Sequence, residues 1–162
     1  KKPKMKYFVL TVLSFLIISC DYKVEKTIDF NSSSDAEVEF YSSEETIKAG
    51  YPFSDAVKIN DLIILSGVVG NIPGNESVVE GGIQAETRQA LENIKSILQH
   101  YDLTMDNIVK CTCMIDDISE WGQMNEVYKT YFTKNKPSRS AFGADGLALG
   151  AKLELECWAV EN

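Results

Sequence analysis

The sequence has little histidine and cysteine, the side chains on which most zinc sites rest. One histidine, His100, occurs in 162 residues. A single histidine cannot build a His-rich zinc site. At the end of a helical stretch, His100 reads as a surface residue that favours the helix C-terminus. The four cysteines include no CxxC spacing, which argues against zinc, and they are too few for a disulfide scaffold. No GxxxxGK[ST], GxGxxG or GxSxG motif is present, which removes the common phosphate-binding and serine-nucleophile signatures. Basic residues are also scarce: 16 Lys plus Arg stand against 24 Asp plus Glu, a formal charge of −8. Nucleic acid is therefore not an expected partner, because neutralising phosphates needs a cationic face. With 44% hydrophobic residues, the composition is that of a globular protein rather than a disordered or multi-span membrane chain.

The one long apolar run lies near the N-terminus, from Tyr7 to Ile18, behind Lys1, Lys2, Lys4 and Lys6. A basic start, a short apolar core and a small residue before the cleavage point make a secretory signal. The order Ile17-Ile18-Ser19-Cys20 resembles the bacterial lipobox, which implies lipid modification of Cys20 and anchoring in the cell envelope. Residues 1–19 are thus expected to be a lipoprotein-type signal peptide, with Met5 as its start. Their removal takes away four Lys and no acid, carrying the charge from −8 to −12. An acidic surface is repelled by anionic headgroups, so the lipid must supply the membrane attachment. Residues 20–45 read as a polar tether, in which Val38-Glu39-Phe40-Tyr41 can still form an edge strand. The folded domain is expected over residues 46–162.

Within that domain the apolar runs Ala56–Ile59 and Leu62–Ser66 flank Asn60-Asp61, the pattern of a two-residue β-hairpin. Ile83, Thr87, Ala90, Leu91, Ile94, Ile97, Leu98 and Tyr101 follow helical spacing. Ile108–Ile115 is strand-like, and Trp121, Met124, Val127, Tyr128, Tyr131 and Phe132 mark the apolar face of a second helix. Arg139–Phe142 and Lys152–Val160 complete an order ββαβαββ. Two helices cover only one face of such a mixed sheet, giving an α+β architecture. The uncovered face calls for another partner, and a homo-oligomer is the natural candidate.

Cys111 and Cys113 are expected to share a strand face with Val109, and Cys157 to point inward from the last strand. Buried thiols are the plain reading. A disulfide from Cys157 to either of the pair is the alternative in an oxidising compartment. Two charges draw attention. Arg139 opens a strand after Lys136-Pro137-Ser138, and Glu154 lies on the last strand opposite Leu153 and Leu155. An Arg can hold a small carboxylate through paired hydrogen bonds. A Glu a few ångströms away can hold a water as general base. A salt bridge or two solvated charges would look the same in sequence.

Ordered segments from Tyr51 to Val160 resemble the RidA/YjgF family of reactive-intermediate deaminases. They are Pro52–Val57, Leu62–Gly67, Gln89–Ile94, Met124–Tyr128 with Tyr131-Phe132, Pro137–Ser140 and Lys152–Glu156. The resemblance implies a chorismate-mutase-like (RidA-like) fold and a homotrimer packed through its open sheet faces, with active sites in the clefts between subunits. It implies that Arg139 binds the substrate carboxylate and that Glu154 orients the hydrolytic water. It places Ser66 and Gly67 at the pocket floor. It puts Asn125 and Tyr128 in the family's Asn-x-x-Tyr. Phe53 stands where the family loop often has Tyr, Val68 where Gln is frequent, and Ala141 where some members have Cys.

The function implied is hydrolysis of small 2-imino or enamine acids to 2-keto acids and ammonia in the cell envelope, with no cofactor or metal. The alternative is a non-catalytic trimeric module that binds a small carboxylate in the same clefts. A ribonuclease, suggested by older names for the family, sits poorly with a charge of −12, one histidine and no basic patch.

Overall fold

A computed structural model describes residues 36–161. The expected signal peptide, Cys20 and the first part of the tether lie outside the described residues. Ten elements follow one another: β1 (Val38–Tyr41), α1 (Glu44–Ala49), β2 (Ala56–Ile59), β3 (Leu62–Leu65), β4 (Val68–Val69), α2 (Gly82–His100), β5 (Ile108–Ile115), α3 (Trp121–Tyr131), β6 (Ser138–Gly143) and β7 (Leu153–Val160). They form one mixed sheet in the order β1-β2-β3-β7-β5-β6, with β4 also paired to β7. Every pairing is antiparallel except β5 with β6. The two-residue turn between β2 and β3 is made by Asn60, at φ 52°, with Asp61. Asparagine tolerates that left-handed conformation better than most side chains.

The long helices lie on one sheet face. Ile83, Leu91, Ile94 and Leu98 of α2, with Met124 and Tyr128 of α3, share a core with Ile63, Leu65, Cys111, Cys113, Ile115, Leu153 and Leu155. Full burial of each such side chain is worth about 1.5–3 kcal/mol, and this layer holds the domain together. A Cβ on Gly70 would fall 2.5 Å from the Glu86 Cα, so β4 packs directly on α2. The Asn93 amide then donates to the carbonyls of Val69 and Asn71 at 3.2 and 2.7 Å.

The opposite face of the sheet has no helix over it among the described residues. Phe40, Val38 and Trp158 are exposed there, beside the half-buried Val57, Ile59, Leu62 and Ile64.

Three expectations need correction. The tether stops short of residue 45: β1 is the edge strand that Val38–Tyr41 allowed, but α1 already begins at Glu44. Ser43 caps α1 by accepting from the Thr46 N–H, and Gly50 ends it at φ 69°. At six residues α1 is too short for periodicity to reveal. Val109 does not share a face with Cys111 and Cys113, because the β5–β7 register shifts between Ile108 and Lys110 and turns Val109 outward. Trp121 does not enter the core. It is the first residue of α3 and remains 45% exposed.

Candidate active site

The strand register decides which functional side chains can meet. Leu153, Leu155 and Cys157 of β7 face the helices, so Glu154 and Glu156 face the open side. Arg139 of β6 is the parallel partner of Cys111, a helix-facing residue of β5. Arg139 and Glu154 therefore project from opposite faces of one sheet. Within one chain the two do not approach each other. The seven residues singled out from the sequence sort into two groups, one on each face.

The first group surrounds Glu154. Ser66 and Gly67 interrupt the strand between β3 and β4, and the pairing with β7 shifts by one residue across them. The Ser66 hydroxyl donates to the Ser54 carbonyl at 2.6 Å, which ties the loop carrying Phe53 to this break. Phe53 is exposed and stacks on Tyr51 with centroids 5.2 Å apart. Gly67 leaves room for the carboxylate itself: a Cβ there would lie 1.8 Å from Glu154 Oε1. Burial raises the pKa of Glu154 above the usual carboxylate range, and the neighbouring charge of Glu156 raises it further. A carboxylate so placed is a stronger base than one in water.

The second group surrounds Arg139. Its Nη1 donates to Asn125 Oδ1 at 2.7 Å, and its guanidinium carbon sits 4.6 Å from the Tyr128 ring centroid and 5.8 Å from that of Trp121. Asn125 and Tyr128 sit one helical turn apart on α3 and together fix the guanidinium. Burial raises the Tyr128 pKa, and its hydroxyl finds no hydrogen-bond partner. The ring, rather than the hydroxyl, is what Tyr128 offers Arg139. An open recess of about 360 Å³ lies beside Arg139, lined by Ile118, Trp121 and Ala141.

Sequence reasoning passed over two features. Glu86 of α2 is buried and accepts the Lys152 N–H at 2.7 Å, fixing the start of β7 two residues before Glu154. A glutamate inside an apolar helical stripe was the available signal. Ile118 and Trp121 were the other omission, since the apolar spacing alone assigns Trp121 to the core.

The cysteines resolve as well. Cys111 and Cys157 are direct cross-strand partners with Cα atoms 4.2 Å apart and form a disulfide. Cys113 is buried and unbonded, and burial pushes its thiol up to about 11. No cluster of potential metal ligands occurs among the described residues.

Fold and site define a chorismate-mutase-like α+β domain with an anchored arginine on one sheet face and a desolvated carboxylate on the other. A family model described as Endoribonuclease L-PSP matches residues 43–161, and the chain belongs to this RidA/YjgF (L-PSP) family. The mouse 2-iminobutanoate/2-iminopropanoate deaminase is 38% identical over 111 residues, 68% of this chain and 82% of the relative. Reactive Intermediate Deaminase A, chloroplastic, of Arabidopsis thaliana is 37% identical over 128 residues, 79% of this chain and 68% of the relative. The crystal structure of the YjgF gene product from E. coli superposes with a TM-score of 0.70 at 28% identity, covering 76% of this chain and 99% of that one.

Proposed function

We propose that the protein hydrolyses small 2-imino or enamine acids to 2-keto acids and ammonia, at sites completed between copies of the chain in a homotrimer. The placement of Arg139 and Glu154 on opposite sheet faces carries this reading. One chain offers a carboxylate clamp and a base that cannot face each other, and a second copy can bring them together. The apolar open sheet face supplies a surface for that assembly. The deaminase names of the mouse and Arabidopsis relatives support the chemistry.

Arg139, already oriented by Asn125 and Tyr128, receives the substrate carboxylate through two charge-assisted hydrogen bonds. Glu154 of the adjoining copy takes a proton from water as the oxygen attacks C2. The C=N π electrons move to nitrogen, which takes from Glu154 the proton just removed from water. The carbinolamine hydroxyl then gives its proton to Glu154, which passes it to the amino nitrogen, and the C–N bond breaks to release ammonia as C=O forms. An enamine enters the same path after protonation to the imine. The C2 carbon is electrophilic from the start, so the scheme calls for no cofactor. The protein should speed ammonia release from 2-iminopropanoate generated in situ, and Arg139→Ala should abolish that gain. Equal rates for the two proteins would refute the assignment. A ribonuclease fits less well with a net charge of −8.

The proposal extends to location. Residues 1–20 support export and lipid attachment through Cys20 to a bacterial envelope membrane. A Cys111–Cys157 disulfide suits an oxidising compartment. Blocking lipoprotein signal peptidase in cells should accumulate a heavier precursor. Unchanged mobility would count against it.

A further inference from the structure

We infer that the recess beside Arg139 is a side-chain subsite, and that it selects 2-imino acids with a branched or aromatic apolar substituent over the three-carbon acid. The inference rests on the proposed carboxylate role of Arg139. It starts from an anomaly of packing. Trp121 and Ile118 are 45% and 50% exposed, although both belong to residue types that normally bury. Ile118 lies in the turn just before α3 and Trp121 opens the helix, both on the wall of the recess that Arg139 closes from the other side. Neighbouring exposed apolar groups rimmed by charge mark a binding surface more often than an accident of folding.

Geometry then says what would bind. A carboxylate paired with the guanidinium puts C2 one bond beyond the carboxyl carbon, and the C2 substituent extends past the clamp. Tyr128 occupies the core side of the guanidinium. Trp121, Ile118 and Ala141 provide the accessible wall. Ala141 lies two residues from Arg139 on the same strand face, and its small side chain leaves the recess open. Its volume of about 360 Å³ falls in the range of small-molecule pockets, far more than a methyl group fills. The lining beside Arg139 brings no second cation, and Asp117 adjoins Ile118 in the chain. A substituent carrying its own carboxylate is thus disfavoured, and an apolar one is favoured.

The test separates the subsite from the reaction. Calorimetric titration of the full-length protein with 4-methyl-2-oxopentanoate, phenylpyruvate and pyruvate should show the two larger acids binding at least about tenfold tighter, the discrimination expected of an apolar pocket. Trp121→Ala should bring that ratio close to one, and Trp121→Phe should restore most of it. Trp121 is 45% exposed in the single chain, and native mass spectrometry of both variants checks that folding and assembly are unchanged. Ammonia release would be followed in parallel from the imines of leucine, phenylalanine and alanine, made in situ by an amino-acid oxidase. Equal affinity for the three keto acids, or a preference that survives Trp121→Ala, overturns the subsite. Tighter binding of the larger acids without ammonia release from any imine keeps the subsite and overturns the deaminase reading. Release at equal kcat/KM from all three imines, with equal keto-acid affinities, does the reverse.

Discussion

Gly67 and Glu154 show how one missing side chain makes room for a carboxylate. The Gly67 φ is unexceptional, so space is the reason for glycine here. Gly67→Ala would set a Cβ 1.8 Å from Glu154 Oε1, and the carboxylate at the end of its flexible side chain must swing away. The expected result is a fall in kcat of about 100-fold, the cost of misplacing a reacting group by about an ångström, with little change in thermal midpoint. Measuring both on the same variant separates displacement from unfolding. The raised pKa of Glu154 has a worked sign. Its folded pKa exceeds its unfolded one, so its contribution to stability is present at low pH and is lost as pH rises through the folded value. The proposed water activation needs the ionised form, so kcat/KM should fall as pH drops, starting above the usual carboxylate range. Glu156→Gln removes the second cause of the shift and should move this acid limb to lower pH. A limb that does not move would mean that another group sets it.

At the level of elements, periodicity and alternation were informative wherever burial follows them without interruption. The inward set Leu153, Leu155, Cys157 and Ala159 of β7 could be read from the sequence, as could the core stripe of α2. Where a bulge or a helix end breaks the period, as at Val109 and Trp121, the reading placed a surface residue inside. The pairing of the cysteines depends on register, which alternation alone leaves open. Cys111 faces Cys157, whereas Cys113 faces Leu155. The bond ties β5 to β7 across 46 residues of sequence, and chain-entropy reasoning gives it about 4 kcal/mol. Urea unfolding with and without reductant should show a clear drop in midpoint on reduction. Coincident curves, with three titratable thiols in the folded domain, would mean that the strands hold free cysteines.

At the level of the whole molecule, the sequence singles out Arg139 and Glu154, and only the strand register shows that one chain holds them on opposite faces. Arg139 and Glu154 stand out by their chemistry, whereas their faces depend on the parallel register of β6 on β5 and the antiparallel register of β7. That separation has a consequence that a self-contained site would not share. If each site takes Arg139 from one copy and Glu154 from the next around a ring, the interface is head-to-tail and every copy contributes to two sites. Arg139→Ala and Glu154→Gln proteins should each be inactive alone. Unfolded together, mixed in equal amounts and refolded, they form rings in which some sites pair the intact Arg139 of one variant with the intact Glu154 of the other. Random assortment restores roughly a quarter of wild-type activity, because each half of a site is intact about half the time. The same two preparations refolded separately and then mixed stay inactive until subunits exchange, which controls for reversion and contamination. No recovery from the co-refolded mixture, with mixed oligomers demonstrated by native mass spectrometry, would place both residues in a site within one chain and would contradict the register described here.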